Sequence, residues 1–324
     1  MPEAASGTAL LSDIGATNAR FALLADGQRL DTTTYAVADY ASPVEAAREF
    51  LAGPAAGHKP QIAVLAAAGP VVNGRVTMTN AAWTVDAERI RQGLGLQAVH
   101  VINDFEAQGW ALPGYRPADL VEIGHVPAPE EGTMVVMGPG SGFGLAGMAR
   151  DGKTEIVLVT EAGHATLSSE NRREDAIITA LRDRLQHVSV ERLMSGPGLV
   201  NLYHAMAEVD GLTVPQRSAA EIVEHALAGD CVECHHTLEA FCAFLGSVAG
   251  NAALTLGARG GVFIGGGIAP RFTDFIKQSP FRERFEAKGR MQAYLDKIPT
   301  WVIVHPYPAF VGLARLARVH GATK

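Results

Sequence analysis

The apolar positions of this chain fall into short dense runs separated by longer stretches in which apolar residues recur every three or four positions. The runs at 8–14, 21–25, 62–67, 98–102, 134–137, 145–149, 156–160 and 262–264 are short and rich in β-branched residues and alanine, and read as strands. Segments 43–52, 85–94 and 171–187 carry helical spacing, and 212–225, 231–256 and 271–295 are helix-rich. Strands alternating with helices predict an α/β protein with a largely parallel sheet edged by antiparallel hairpins.

Glycine changes this picture because its excess is concentrated behind strands. Residues 8–14 lead into Gly15-Ala16-Thr17-Asn18 and return as 21–25; 134–137 lead into Gly138-Pro139-Gly140-Ser141-Gly142 and return as 145–149. These are two copies of one device: a strand, a turn of glycine and hydroxyl residues, and a returning strand. A third turn, Gly265-Gly266-Gly267, follows 262–264 and leads toward a helix. One hairpin per half suggests an N-terminal α/β unit and a larger second one, joined where Pro113, Pro117, Pro127 and Pro129 cluster.

Composition then removes function classes. With 324 residues, 48% hydrophobic and 19% charged, the chain can bury a large core and is not disordered. A net charge of -7, with acids and bases dispersed, is the wrong sign for a nucleic-acid grip. Three cysteines and the lack of a secretory leader pattern point to a reducing cytosol. Residues 240–258 lack charge over nearly the length of a membrane span, but six are Gly, Ser, Asn or Thr. With Gly246 and Gly250 four apart to admit a neighbouring helix, the segment reads as a buried core helix and no membrane contact is expected.

Three motif matches fail on context. Gly147 to Thr154 fits G-x-x-x-x-G-K-[ST], yet Asp151-Gly152 signals a hairpin and Glu155 to Val159 is strand material, whereas a phosphate loop must open a helix. Gly142-x-Gly144-x-x-Gly147 matches a dinucleotide fingerprint with a strand running through it. Cys231-Val232-Glu233-Cys234-His235 has haem-attachment spacing, but a reducing compartment and a lack of further ligands make it a helix start with two cysteines at i and i+3, with no metal, haem or disulfide expected in the reduced protein.

The turns carry consistent chemistry. Gly15, Thr17 and Asn18, and Gly140, Ser141 and Gly142, present backbone N–H groups and hydroxyls with little bulk, which suits polyphosphate oxygens, and two such tips facing each other would make a clamp. Asp13, just before the first turn, is placed to hold hydrated Mg2+ on those phosphates. Asn103-Asp104 follows strand 98–102 at the carboxyl end, where α/β sheets bind ligands, and Asp104 there is either an acceptor of a hydroxyl proton or a helix cap. Glu161, His164 and Glu191 add polar groups after a strand and before Ser195-Gly196-Pro197-Gly198.

Seven segments in order then resemble the bacterial ATP-dependent glucokinases of the hexokinase and actin-like ATPase superfamily. They are Asp13 to Arg20, Met78-Thr79-Asn80 with Trp83, Ile102 to Phe105, Gly138 to Gly144, Glu161 to His164, Glu191-Arg192 through Leu199, and Gly265 to Arg271. The likeness runs nearly end to end. It departs from the usual pattern at Ala16, Ala162 and Ala309, where glycine is common, and at Ser141, where threonine is.

The resemblance implies a two-domain ribonuclease H-like (actin-like ATPase) α/β fold with mixed sheets and a cleft between domains. Its small domain would be 1–112 plus 308–324, and its large domain 113–307. It implies phosphoryl transfer from ATP to the 6-hydroxyl of glucose in a cytoplasmic homodimer. Asp104 would be the base, and Asn80, Asn103, Asp104, Glu161, His164 and Glu191 would bind sugar. Asp13 would be associated with Mg2+ through water; Gly15, Ala16, Thr17, Asn18, Gly138, Gly140, Ser141 and Gly142 would contact phosphates, and Gly265 and Gly266 the adenosine. Rival readings are a kinase of another hexose or N-acetylhexosamine, a sugar-responsive regulator and a non-sugar actin-like ATPase. The regulator would need a helix-turn-helix ahead of the first strand, where seven residues precede Thr8.

Overall fold

A computed structural model describes residues 7–30, 32–78, 83–124, 131–151 and 154–321. Asn80, Pro127, Pro129, Gly152 and Lys153 lie outside the described residues. The chain divides into two units: Met1–Tyr115 with Pro306–Lys324, and Arg116–His305.

In the first unit the strands are β1 (Ala9–Ile14), β2 (Asn18–Ala25), β3 (Gln28–Arg29), β4 (Thr33–Ala36), β5 (Ile62–Ala67), β6 (Arg75–Thr77), β7 (Thr84–Asp86) and β8 (Ala98–Asn103). The helices are α1 (Pro43–Ala52), α2 (Ala87–Leu94), α3 (Asp104–Ala111) and the C-terminal helix Pro308–Gly321. The main sheet runs β3-β2-β1-β5-β8, with β4 on β2 and a separate β6-β7 pair. β1, β5 and β8 are parallel, while β2 returns antiparallel to β1 in the hairpin expected from the first glycine turn. Both faces of the central strands are covered. Leu10, Phe21 and Leu65 pack with Phe50 and Trp83 on one side; Leu11, Val64 and Ile102 pack with Phe310 and Leu313 on the other.

The second unit repeats the device. Its strands are β9 (Leu120–Glu122), β10 (Met134–Pro139), β11 (Phe143–Asp151), β12 (Thr154–Thr160), β13 (Gly261–Ile264) and β14 (Thr300–Ile303), ordered β12-β11-β10-β13-β14-β9. β10 and β11 form an antiparallel hairpin about the second glycine turn, and β10, β13 and β14 are parallel. Each main sheet is therefore mixed, with three parallel strands and antiparallel additions. β11 continues through Gly147 to Asp151 and pairs back with β12 from Thr154, so no helix follows the spurious phosphate-loop pattern.

Helices α4 (Arg172–Leu185), α5 (Gly196–Val209), α6 (Ala219–Ala228) and α7 (Val232–Leu256) cover this sheet. α7 contains the uncharged run, and 78% of its most apolar window is buried inside the unit. Gly246 and Gly250 perform the expected task. A Cβ added at either would stand 2.2 Å from the Phe281 carbonyl oxygen or 2.5 Å from that of Phe285, so helix Phe281–Glu286 rests against bare α7 backbone.

At the start of α7 the structure holds Cys231 and Cys234 joined as a disulfide, whereas the expectation from sequence was of no disulfide in the reduced protein. Cys231 occupies the extended N-cap position, which turns its sulfur over the first helical turn, and the two Cα atoms stand 5.3 Å apart, within bridging range.

The helix that carries Asp104 is seated by a similar contact. A Cβ at Gly312 would meet the Ala107 carbonyl oxygen at 1.8 Å, so the C-terminal helix packs on α3 backbone to backbone. Gly312→Ala should destabilise the protein by about 1–3 kcal/mol through forced separation of these helices. Urea unfolding with an unchanged midpoint would refute this reading of the contact.

Candidate active site

Asp13 is the fifth residue of β1 and pairs across the hairpin with Arg20 on β2. The Arg20 guanidinium donates to Asp13 Oδ2 at 3.3 Å, and buried Ser12 donates to the Arg20 carbonyl at 3.0 Å. Burial pushes the Asp13 carboxyl above the usual carboxylate range, and Arg20 partly opposes that rise. Arg20 was not among the site residues expected from sequence. Its signal was a lone charge within the apolar strand β2, two positions after the turn. Beyond Asp13 the turn closes by Gly15 N–H to the Asn18 carbonyl at 2.9 Å, and Ala16 and Thr17 are exposed at its tip. Among the described residues the non-glycine positions with positive φ are Asp26, Asn73 and Gln186, so Ala16 carries no left-handed strain.

At the end of β8 the helix cap falls to Asn103, not to Asp104. Asn103 is the N-cap of α3, its Oδ1 accepting from the Phe105 amide at 2.8 Å and the Glu106 amide at 3.3 Å. Its Nδ2 donates to the Gly69 carbonyl at 3.1 Å, and the Asn103 side chain also donates to the Asp104 carboxylate. Asp104, at the first helical position, is not the cap. Its Oδ1 accepts from the Phe105 amide at 3.1 Å. Burial first, and the Asp13 charge second, push the Asp104 carboxyl up to about 6, against the hydrogen bonds it receives. The two acids therefore lie close enough to couple within this unit.

In the second unit the glycine turns back onto each other. Gly265 N–H donates to the Met137 carbonyl at 2.7 Å, and a Cβ at Gly138 would stand 2.3 Å from the Gly265 oxygen. Gly266, with φ +79°, approaches the Pro139 carbonyl where a Cβ would stand at 2.2 Å. Gly140 N–H closes onto the Gly142 carbonyl at 2.8 Å, the Gly140 carbonyl accepts from Gly196 at 2.9 Å, and Ser141 is exposed at the tip.

The sugar-binding candidates join this turn. Glu161 precedes the short helix Ala162–His164, and its carboxylate lies 4.0 Å from His164 Nε2, both side chains about two-thirds exposed. Glu191 Oε2 accepts from the Phe143 amide at 2.9 Å, and Glu191 N–H donates to the Gly163 carbonyl at 2.9 Å. Glu191 thus bridges the phosphate-type turn and the Glu161–His164 segment. Sequence spacing gave no sign of this double contact. Asp13, Gly15, Ala16, Thr17, Asn18, Asn103 and Asp104 gather in the first unit; Gly138, Gly140, Ser141, Gly142, Glu161, His164, Glu191, Gly265 and Gly266 belong to the second.

A buried acid beside a second acid at a strand end, with glycine turns bearing hydroxyls, is equipment for taking a proton from an alcohol and for holding phosphate. Comparison with known proteins agrees. The family model Glucokinase matches residues 10–320. The chain is 45% identical over 312 residues to a glucokinase of Caulobacter sp. (strain K31), covering 95% of this chain and 94% of that one. A crystal structure of a glucokinase from an Antarctic psychrotroph superposes with a TM-score of 0.88 at 38% identity, over 96% of this chain and 98% of that chain. A ROK family glucokinase from Streptomyces griseus shares the fold with a TM-score of 0.64 at 21% identity, over 97% of this chain and 100% of that one. The architecture is accordingly that of the actin-like ATPases, the activity is phosphorylation of glucose, and the chain belongs to the glucokinase family.

Proposed function

We propose that the chain transfers the terminal phosphoryl group of ATP to the 6-hydroxyl of glucose, the first step of glycolysis in the cytoplasm, with Asp104 as general base. The observation that carries this is the state of Asp104. Asn103 relieves it of capping, and a carboxyl near 6 is ionised at neutral pH yet basic enough to accept a hydroxyl proton. The glucose O6 lone pair attacks the γ-phosphorus, the bond from that phosphorus to the β,γ-bridging oxygen breaks, ADP leaves, and the proton passes to Asp104. The Streptomyces griseus protein is described in complex with glucose and AMPPNP, which supports glucose and ATP as the substrate pair.

The residues present fit Mg2+. Asp13 Oδ2 is engaged by Arg20, while no described residue is recorded donating a hydrogen bond to Oδ1, so one carboxylate oxygen is left for a hydrated cation. Asp13 would hold it, and the bound ion offsets charge on the β- and γ-phosphates. The amides around Gly15–Asn18 and Gly138–Gly142 orient the phosphate oxygens, and the Gly265–Gly266 turn serves the adenosine. Glu161 and His164, both exposed, bind sugar hydroxyls together with Asn80 and Asn103.

Asp104→Asn should retain most glucose binding and lose on the order of 100- to 10,000-fold in kcat. Turnover within about threefold of the parent would remove Asp104 as the base. Because only the ionised carboxylate accepts the proton, kcat/KM for glucose should fall about tenfold per pH unit below about 6 and level off above it. A profile flat down to pH 5 would contradict that assignment.

Glu161→Ala and His164→Ala should each raise the glucose requirement roughly tenfold or more, since an unpaired sugar hydroxyl costs about 1–3 kcal/mol, with the ATP requirement within a few-fold. Thr17→Ala and Ser141→Ala should act mainly on ATP. Glu191→Ala should weaken both substrates, as its carboxylate holds Phe143 while its backbone holds Gly163. Initial-rate titrations in both substrates test this, and a Glu161 or His164 variant that weakens ATP more than glucose would overturn it. The same assay with mannose, fructose, galactose and N-acetylglucosamine tests sugar choice.

The assembly we infer is a homodimer, supported by Ile156, Leu158 and Val159, which stand 53%, 40% and 50% exposed on edge strand β12. Leu158→Asp should yield a monomer in sedimentation; an unchanged dimer would exclude this strand from the interface, and a monomeric parent would end the proposal.

A further inference from the structure

Phosphoryl transfer makes no use of the sulfur chemistry at the start of α7. Cys231 is the N-cap, φ −140° and ψ 108°, and its sulfur accepts the Cys234 amide N–H at 3.2 Å. Cys234 is fully buried, whereas Cys231 is half-buried and borders solvent. The two sulfurs are bonded to each other. The bridge closes a loop within one helical turn, where the entropy removed from the unfolded chain is smallest. Its main consequence is therefore chemical.

When the bond is open, the N-cap sulfur is the one whose thiolate the fold favours. It keeps the Cys234 amide as a donor and sits at the positive end of a 25-residue helix. The surrounding charges act in both directions. Glu233 Oε2, 3.7 Å from the Cys231 sulfur, opposes the thiolate. The Asp230 carboxylate is engaged by His225 at 2.8 Å, and His235 faces Glu239 at 3.7 Å. Cys234, fully buried, is far less accessible to an external reagent than Cys231, its neighbour. The third cysteine, Cys242, is buried further along the same helix, and burial pushes its thiol up to about 12.

We propose that Cys231 and Cys234 are a redox-active dithiol–disulfide couple that exchanges with low-molecular-mass disulfides and thiols, Cys231 attacking and Cys234 resolving. In the oxidising direction the Cys231 thiolate attacks one sulfur of a small disulfide and expels a small thiolate. The Cys234 sulfur, giving up its proton, then attacks Cys231 Sγ in the mixed disulfide and expels the second thiolate. Two protein thiols are oxidised, the small disulfide is reduced to two thiols, and two small thiols run the sequence backward.

The test uses the full chain equilibrated with mixtures of reduced and oxidised glutathione, acid-quenched, labelled with N-ethylmaleimide and read by peptide mass spectrometry. The peptide containing Cys231 and Cys234 should pass from two labels to none, two hydrogens lighter, as the oxidised fraction rises, and recover both labels in excess reduced glutathione. Cys234→Ser should accumulate a glutathione adduct on Cys231, while Cys231→Ser should form one on Cys234 at least about tenfold more slowly. Two labels at every ratio, or a bridge that excess reduced glutathione never opens, would overturn the couple. Equal adduct rates in the two variants would overturn the assigned roles.

Discussion

The site depends on keeping two carboxylates near one another in partly buried surroundings. Burial raises the cost of ionising both Asp13 and Asp104, and the Asp13 charge adds to that cost at Asp104, so without compensation both carboxyls would be held toward the protonated form. The fold supplies the compensation locally. Arg20, opposite Asp13 in the hairpin, favours its charge, and the first amide of α3 does the same for Asp104. Asn103 makes the second arrangement available. By occupying the cap it leaves the following carboxylate past the strand end, where burial outweighs the hydrogen bonds that carboxylate receives. Had Asp104 been the cap, two or three amides would have held its carboxyl well below 6, leaving a weak base.

The proposed function asks for surfaces without side-chain bulk against phosphate, and each unit, taken by itself, carries a glycine turn that offers backbone. In the second unit, Gly138 and Gly266 let two turns lie against each other at distances no side chain permits. That contact fixes the direction in which the turn after β10 offers its amides. Glu191 extends the logic. Its carboxylate accepts from the Phe143 amide at the end of the turn after β10. It links the turn to the Glu161–His164 segment, so the geometry of one follows the geometry of the other.

The parts of this arrangement that depend on local sequence were legible beforehand. Strand 98–102 followed by Asn103-Asp104, the two hairpins, and the rejection of the Gly147–Thr154 pattern each follow from periodicity and turn chemistry within about ten residues. The parts that depend on pairing across the chain were not. Arg20 matters because antiparallel register puts it opposite Asp13, and Glu191 because its segment folds back on Phe143, 48 residues earlier. The altered turn residue Ala16 illustrates the converse. Glycine is common at this position in the family it resembles, yet the backbone here needs no left-handed conformation and Ala16 is exposed at the tip.

The cysteine pair shows why compartment arguments and local geometry must be weighed separately. A reducing cytosol argues against a permanent structural bridge but says nothing against a reversible one. What decides whether two thiols can join is the N-cap conformation of Cys231, which aims its sulfur along the first helical turn, and composition cannot report that angle. The same N-cap geometry that brings the sulfurs together also gives the thiolate a hydrogen-bond donor once they part. One backbone conformation thus accommodates both the bridged and the open pair, which the proposed exchangeable couple requires and a permanent staple does not.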